Sequence, residues 1–202
     1  MASHADDELK PSTTEGYKVG EKKSVDEYAK LDAEDESLAR WKQSLGIGSG
    51  SAGGSLGDPG DKRKVVILQL CLLISGRPDV VISLDTPAAL EELGNKPFII
   101  KEGAEYRMKV RFRVQHEVIS GLRYLQLVKR KGIKVDKSDE MMGSYGPNTS
   151  ETPYYEKIFS EEEAPSGMIY RGRYDAVSKF MDDDHNTHLE FKWNFDIKKS
   201  WD

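Results

Sequence analysis

The sequence predicts an all-β fold of two antiparallel sheets packed face to face, and three stretches carry that prediction. The first is Ala104 to Val114. There Tyr106, Met108, Val110, Phe112 and Val114 alternate with Arg107, Lys109, Arg111 and Arg113. Side chains on a strand point to opposite faces in turn, so this stretch has one apolar and one cationic face. The spacings of three and four that an amphipathic helix needs are absent. The second is Leu189 to Ile197, where Leu189, Phe191, Trp193, Phe195 and Ile197 alternate with Glu190, Lys192, Asn194 and Asp196. It supplies the second apolar layer that the first one requires. The third is Val65 to Ile74, a continuous apolar run interrupted only by Gln69. A strand buried deep between two sheets has that composition.

In chain order, residues 1–22 are polar, with Tyr17 the only aromatic. They carry too little apolar surface to offset the entropy of ordering. Ser24-Val25-Asp26-Glu27 has the form of a capping box, and Val25, Tyr28, Ala29 and Leu31 follow close to one helical face. A second short helix is expected from Asp35, carrying Leu38, Trp41 and Leu45. Two such helices are marginal in water alone, so the arm is expected to wait for a partner. Gly46 to Gly60 holds seven glycines and three serines and reads as a flexible tether. It is not a phosphate loop, since no Gly-Lys-Ser/Thr follows it. Beyond it, strands are expected over 65–74, 79–84, 97–101, 104–114, 122–128, 131–135, 156–159, 172–180 and 189–197. Thr86 and Pro87 open a short helix that runs to Leu93 and stops at Gly94. Strands at this spacing imply an immunoglobulin-like antiparallel β-sandwich. The expected organisation is an arm over 1–45, a linker over 46–60 and the sandwich over 61–202.

The charge is uneven. Residues 1–60 carry 7 Lys/Arg against 12 Asp/Glu, and the rest carry 23 of each, so the net charge of -5 belongs to the arm and linker. Neither part is basic enough for a general nucleic-acid binder. The single cysteine, Cys71, excludes an intrachain disulfide. The acidic start MASHADDELK lacks the apolar core of a signal peptide, and Val65 to Ile74 is about half the ~20 residues of a membrane helix. A cytoplasmic protein is expected. His185 and His188 lie beside Asp182-Asp183-Asp184, but Thr187 and Trp193 stand where a calcium loop needs glycine and glutamate. That loop reads as a solvated acidic turn, with no metal. Cys71 with His116 lacks an acid to complete a nucleophilic set, and Cys71 lies in an apolar strand. No catalytic residues and no cofactor are expected, so the chain reads as a binding protein rather than an enzyme. Glu161-Glu162-Glu163 and Asp182 to Asp184 both fall in expected connections, where binding residues concentrate. They are read as an acidic surface for a polybasic segment.

Further motifs run along nearly the whole chain in fixed order. They include Tyr17-Lys18, Asp35-Glu36-Ser37-Leu38, Lys101-Glu102-Gly103-Ala104-Glu105-Tyr106-Arg107 and Phe112-Arg113-Val114. After them come Arg130-Lys131-Gly132, Asp136-Lys137, Gly143-Ser144-Tyr145-Gly146-Pro147, Glu162-Glu163-Ala164-Pro165 and Gly167-Met168. Phe180 with Asp182-Asp183-Asp184, and Ile197-Lys198-Lys199-Ser200-Trp201, complete the set. In this series the chain resembles the Rho GDP-dissociation inhibitors.

The resemblance implies a one-to-one complex with a prenylated, GDP-bound Rho-family GTPase. It implies that the geranylgeranyl tail lies between the sheets, that GDP release slows, and that the GTPase leaves the membrane after a transient encounter there. Asp35, Ser37, Leu38, Trp41 and Leu45 would face the GTPase switches, with Trp41 in place of the family's tyrosine. Leu70, Phe98, Ile100, Met108, Val110, Leu125, Phe191 and Trp193 would line the lipid pocket. Asp136, Glu161, Glu162, Glu163, Asp182, Asp183 and Asp184 would meet the basic tail. The rival reading is a chaperone for prenylated or acylated cargo that leaves nucleotide release alone. Such a protein would have no need of the capped, tryptophan-bearing arm.

Overall fold

The computed structural model describes residues 9–11, 27, 35–44 and 60–201. Two sheets make up the sandwich. One has strand order β2-β1-β4-β7, with β1 Val65–Ile74, β2 Val80–Ser83, β4 Glu105–Val114 and β7 Tyr155–Glu163. The other runs β3-β9-β8-β5-β6, with β3 Phe98–Lys101, β5 Ile119–Arg130, β6 Ile133–Tyr145, β8 Gly172–Met181 and β9 Thr187–Lys198. All pairings are antiparallel except β3 with β9, where Phe98 to Lys101 run alongside Phe195 to Lys198. The sequence signals no strand direction, so this parallel edge departs from the antiparallel expectation. A parallel pair needs a crossover, and the rest of the sandwich supplies it.

The three stretches that predict the fold are the centre of it. Met108, Val110, Phe112 and Val114 of β4 are buried, as are Phe191, Trp193 and Ile197 of β9 and most of β1. The cationic face of β4 turns outward onto β7. There Arg111 donates to Glu156 at 2.7 Å, and Lys109 lies 3.8 Å from the same carboxylate. β5, β6 and β7 are longer than their apolar runs suggest, because edge and hairpin strands continue through polar residues once backbone pairing is established. The β5–β6 hairpin turns on Lys131 and Gly132, both at positive φ (50° and 80°). A two-residue turn of that type matches strand twist.

The helix over α2 Pro87–Asn95 starts as expected. The Thr86 hydroxyl accepts from the Ala89 N–H at 3.3 Å, and Pro87 sits in the first turn. It passes Gly94 and ends one residue later. In the arm, α1 spans Glu36–Ser44, with the Asp35 carboxylate accepting from the N–H groups of Ser37 and Leu38 at 2.8 and 3.2 Å. Of the expected first arm helix only Glu27 is described, and it is helical. Leu45 and the side chain of Trp41 lie outside the described residues.

Candidate functional site

The two sheets part at the end where β4 begins and β7 finishes. A cavity of about 600 Å3 opens there, within the ~300–1,000 Å3 range of small-molecule sites. Ile100, Val128, Tyr174, Phe195 and Ile197 form its apolar wall, and Gln126 and Ser138 lie along β5 and β6. The rings of Tyr174 and Phe195 stack with centroids 5.1 Å apart and planes 4° off parallel. Beside Gln126, a polar cluster crosses the core. The Tyr124 hydroxyl donates to Gln126 Oε1 at 2.6 Å and contacts Ser178 Oγ at 2.8 Å, while Trp193 Nε1 donates to the same oxygen at 2.9 Å.

Acidic side chains rim the mouth. Asp136, Glu162 and Glu163 line it together with Tyr106. The Tyr106 hydroxyl donates to Glu162 Oε2 at 2.8 Å. Glu162 is exposed as a residue, but its carboxylate bends back over the mouth. Burial there pushes its pKa above the ordinary 4.5, against the lowering effect of the Tyr106 bond, with Asp136 and Glu140 adding repulsion. Burial also pushes the Tyr106 phenol up strongly.

A braced turn borders the mouth between β7 and β8. The Glu102 carboxylate accepts from Arg171 Nε at 2.9 Å and from the second guanidinium arm at 2.6 Å. It also accepts from the Gly167 N–H at 2.9 Å. These bonds hold its pKa down at about 2. Arg130 donates to the carbonyls of Ile169 and Arg171, and Tyr174 donates to that of Tyr170 at 2.7 Å.

The residues expected at the pocket divide. Ile100 lines the cavity. Leu70, Met108, Val110, Phe191 and Trp193 are buried in the core between the sheets behind it. Phe98 opens onto a second cavity of about 570 Å3, between β2, α2 and β3. It meets Trp193 edge to face, with ring centroids 5.9 Å apart, and pairs with Phe195 across the β3–β9 edge. Leu125 faces the other way. It packs with Leu127, Met181 and Leu9 on the outer surface of the five-stranded sheet, where it is 0% exposed. The 122–128 run shows no alternation, so nothing in it fixes which residues face inward. Pairing puts Leu122, Tyr124 and Val128 inward instead.

The acidic residues divide too. Glu161 to Glu163 are strand, not connection. They close β7 opposite Arg107, Tyr106 and Glu105 of β4, and opposite charge helps hold Arg107 and Glu161 in register, 4.0 Å apart. Asp182 to Asp184 follow the far end of β8, eight residues beyond Tyr174 and so roughly 26 Å from the mouth. Nor is that turn simply solvated. Asp182 is buried, with His188 Nε2 at 2.9 Å and the Asn186 N–H donating at 2.9 Å. Burial alone would raise its pKa, but the bonds from His188 and Asn186 outweigh it and hold the carboxyl low. Asp183 packs over Gly121 and within 3.9 Å of Arg123.

Tyr106, Val128, Tyr174, Phe195 and Ile197 line the cavity but were not among the expected residues. Three of them belong to the same alternations that predict the fold. They sit at strand ends, and the cavity lies at an end of the sandwich rather than in its middle. Cys71 is buried, and burial raises its thiol pKa against the lowering influence of Lys109 and Arg111.

A family model described as RHO protein GDP dissociation inhibitor matches residues 2–200. The chain belongs to that family. It is 54% identical to a Rho GDP-dissociation inhibitor of Schizosaccharomyces pombe over 91% of this chain and 86% of that one. It is 51% identical to the Saccharomyces cerevisiae protein of the same name, covering 91% and 90%. Against Rho GDP-dissociation inhibitor 1 of Homo sapiens it is 43% identical, covering 92% and 86%. The Rho GDP-dissociation inhibitors are regulators rather than catalysts. None of the described helices is long and apolar enough to cross a membrane.

Proposed function

We propose that this chain holds a prenylated Rho-family GTPase in its GDP form, one to one, with the geranylgeranyl group in the cavity between the sheets. The observation that carries the reading is the mouth itself, an apolar hollow rimmed by Asp136, Glu162 and Glu163. A prenyl chain attached to a basic peptide has the complementary sequence of chemistries. The buried residues Met108, Val110, Phe191 and Trp193 would form the floor onto which the cavity deepens. Leu125 and Asp182 to Asp184, turned away from the mouth, have no part in it.

Burying a prenyl chain stabilises by ~0.8 kcal/mol per CH₂ in a bilayer or in a protein. Its transfer is therefore close to neutral and cannot drive extraction alone. The difference has to come from contacts made only in the complex. The acidic rim on the basic tail supplies one set. The arm supplies the other, with capped α1 presenting Ser37, Leu38 and Trp41, followed by Leu45, to the switch regions. Arm contacts that favour the GDP state hold the nucleotide in place. The working cycle is cytoplasmic, with a transient membrane encounter.

The test is GDP release from a prenylated Rho-family GTPase with and without the full chain. Slower release is expected. Unchanged release with the GTPase nevertheless removed from vesicles would identify a lipid-cargo chaperone instead.

A further inference from the structure

We propose that the turn Met168–Tyr170 and the neighbouring β5–β6 hairpin tip form a docking surface for anionic lipid bilayers, placed beside the cavity mouth. The proposal rests on the lipid-cavity reading only for what the docking accomplishes, not for the docking itself.

Three apolar side chains stand out here. Met168 is 79% exposed and Ile169 and Ile133 are each 72% exposed. They belong to one place, because Arg130 pairs with Ile133 across the hairpin and its guanidinium donates to the Ile169 carbonyl. A loop free to relax would tuck such side chains inward. This one is pinned with them outside by Glu102 on Gly167 and Arg171, and by Tyr174 on the Tyr170 carbonyl. A clustered, rigidly presented apolar patch marks an interaction surface.

Charge selects the partner. Lys131 and Lys134 sit at the hairpin tip and are exposed, and Lys199 lies close enough to Glu102 to influence its ionisation. Apolar side chains that enter the interfacial region, backed by lysines at headgroup level, match an anionic bilayer. Tyr170 belongs both to this turn and to the cavity wall. A prenyl chain moving between bilayer and cavity at this point avoids exposing its methylenes to water.

The experiment uses the full-length chain without any GTPase, floated with phosphatidylcholine vesicles or with vesicles carrying about a third phosphatidylserine. Flotation with the anionic vesicles and little with the neutral ones is expected. M168D/I169D and, separately, K131E/K134E should each cut it by at least about ten-fold. None of these four residues lines the cavity, so a soluble prenylated tail peptide should bind both variants as it binds the parent. Equal thermal melting of parent and variants excludes misfolding, and single variants replace any double that melts lower. Flotation that ignores lipid charge, or that survives both doubles, overturns the proposal. So does a loss in M168D/I169D of binding to unprenylated GTPase with flotation intact, which would make the patch a protein contact. A parent chain that floats but takes up no prenylated peptide supports the docking surface and removes the cavity reading instead.

Discussion

Glu162 and Asp182 are carboxylates pushed in opposite directions, and each direction has a measurable consequence. Asp182 is held below its ordinary 3.8 by His188 and Asn186 despite burial. A depressed folded pKa gives stability that is present above the ordinary value and lost as pH falls through the folded one. Asp182→Asn should therefore lower stability at neutral pH by roughly 1–3 kcal/mol. Urea unfolding should show that deficit shrinking toward pH 3. Glu162 is raised above 4.5, chiefly by burial. The protonated form suits the folded mouth, so its favourable contribution exists at acid pH and disappears as pH rises through the folded pKa. Glu162→Gln should then leave neutral-pH stability unchanged or slightly higher, since glutamine can still accept from Tyr106. Its association with a basic prenylated peptide should nevertheless slow and lose salt sensitivity. In the parent that association should titrate with a midpoint above 4.5, and stopped-flow rates across pH 4–7 in both proteins decide the matter.

At the scale of elements, β5 lines the cavity with Gln126 and Val128 on one face and packs against Leu9 with the other. Leu125→Ala should cost roughly 2–5 kcal/mol, as a buried leucine does, yet leave prenyl-peptide affinity unchanged. Val128→Ala, on the inner face of the same strand, should lower that affinity. Equal affinity losses would mean that both faces serve the cavity. Gly121 in the same strand has φ +59°, and an added Cβ would lie 2.0 Å from the Asp183 carboxylate. Gly121→Ala should accordingly destabilise by more than about 1 kcal/mol, as thermal melting would show. These two residues also mark where the sequence stops being informative. β4 and β9 were legible because polar and apolar residues alternate, and alternation assigns a face to every side chain. The β5 run Leu122 to Val128 has apolar residues on both faces, because Leu9 covers Leu125 and Leu127 from outside. That cover comes from a segment far away in sequence. The cavity was half legible for a related reason. Periodicity identifies the inner face of a strand but not the height at which two sheets separate, so the core was found and the mouth residues Tyr106, Phe195 and Ile197 were not. Acidic runs alone could not show that Glu162 belongs to the mouth and Asp182 to the opposite end.

For the whole molecule, the division between arm and sandwich can be tested by removing the arm. A fragment from Asp61 keeps the inter-sheet core and should bind a prenylated peptide like the full chain. It should lose most control of GDP release, because Leu38, Trp41 and Leu45 are gone. It should also be less stable by about 1.5–3 kcal/mol, the burial of Leu9, and Leu9→Ala in the full chain should reproduce that deficit. A fragment that restrains GDP release as well as the full chain would show that the arm is not the inhibitory element. The parallel edge strand has a consequence for how such a chain is made. β3 finds its partner only in β9, and Gly94 receives the Asn194 amide at 3.0 Å across a hundred positions of sequence. A growing polypeptide has already exposed β1, β4 and β5 while the strand that completes its second sheet is still unsynthesised. Until then it shows an apolar sheet face and unpaired edges, the state in which chains aggregate. A message cut short anywhere before Phe195 would thus yield no partial regulator. Its product lacks a cavity wall and the closing strand together, and becomes a substrate for the cell's proteases.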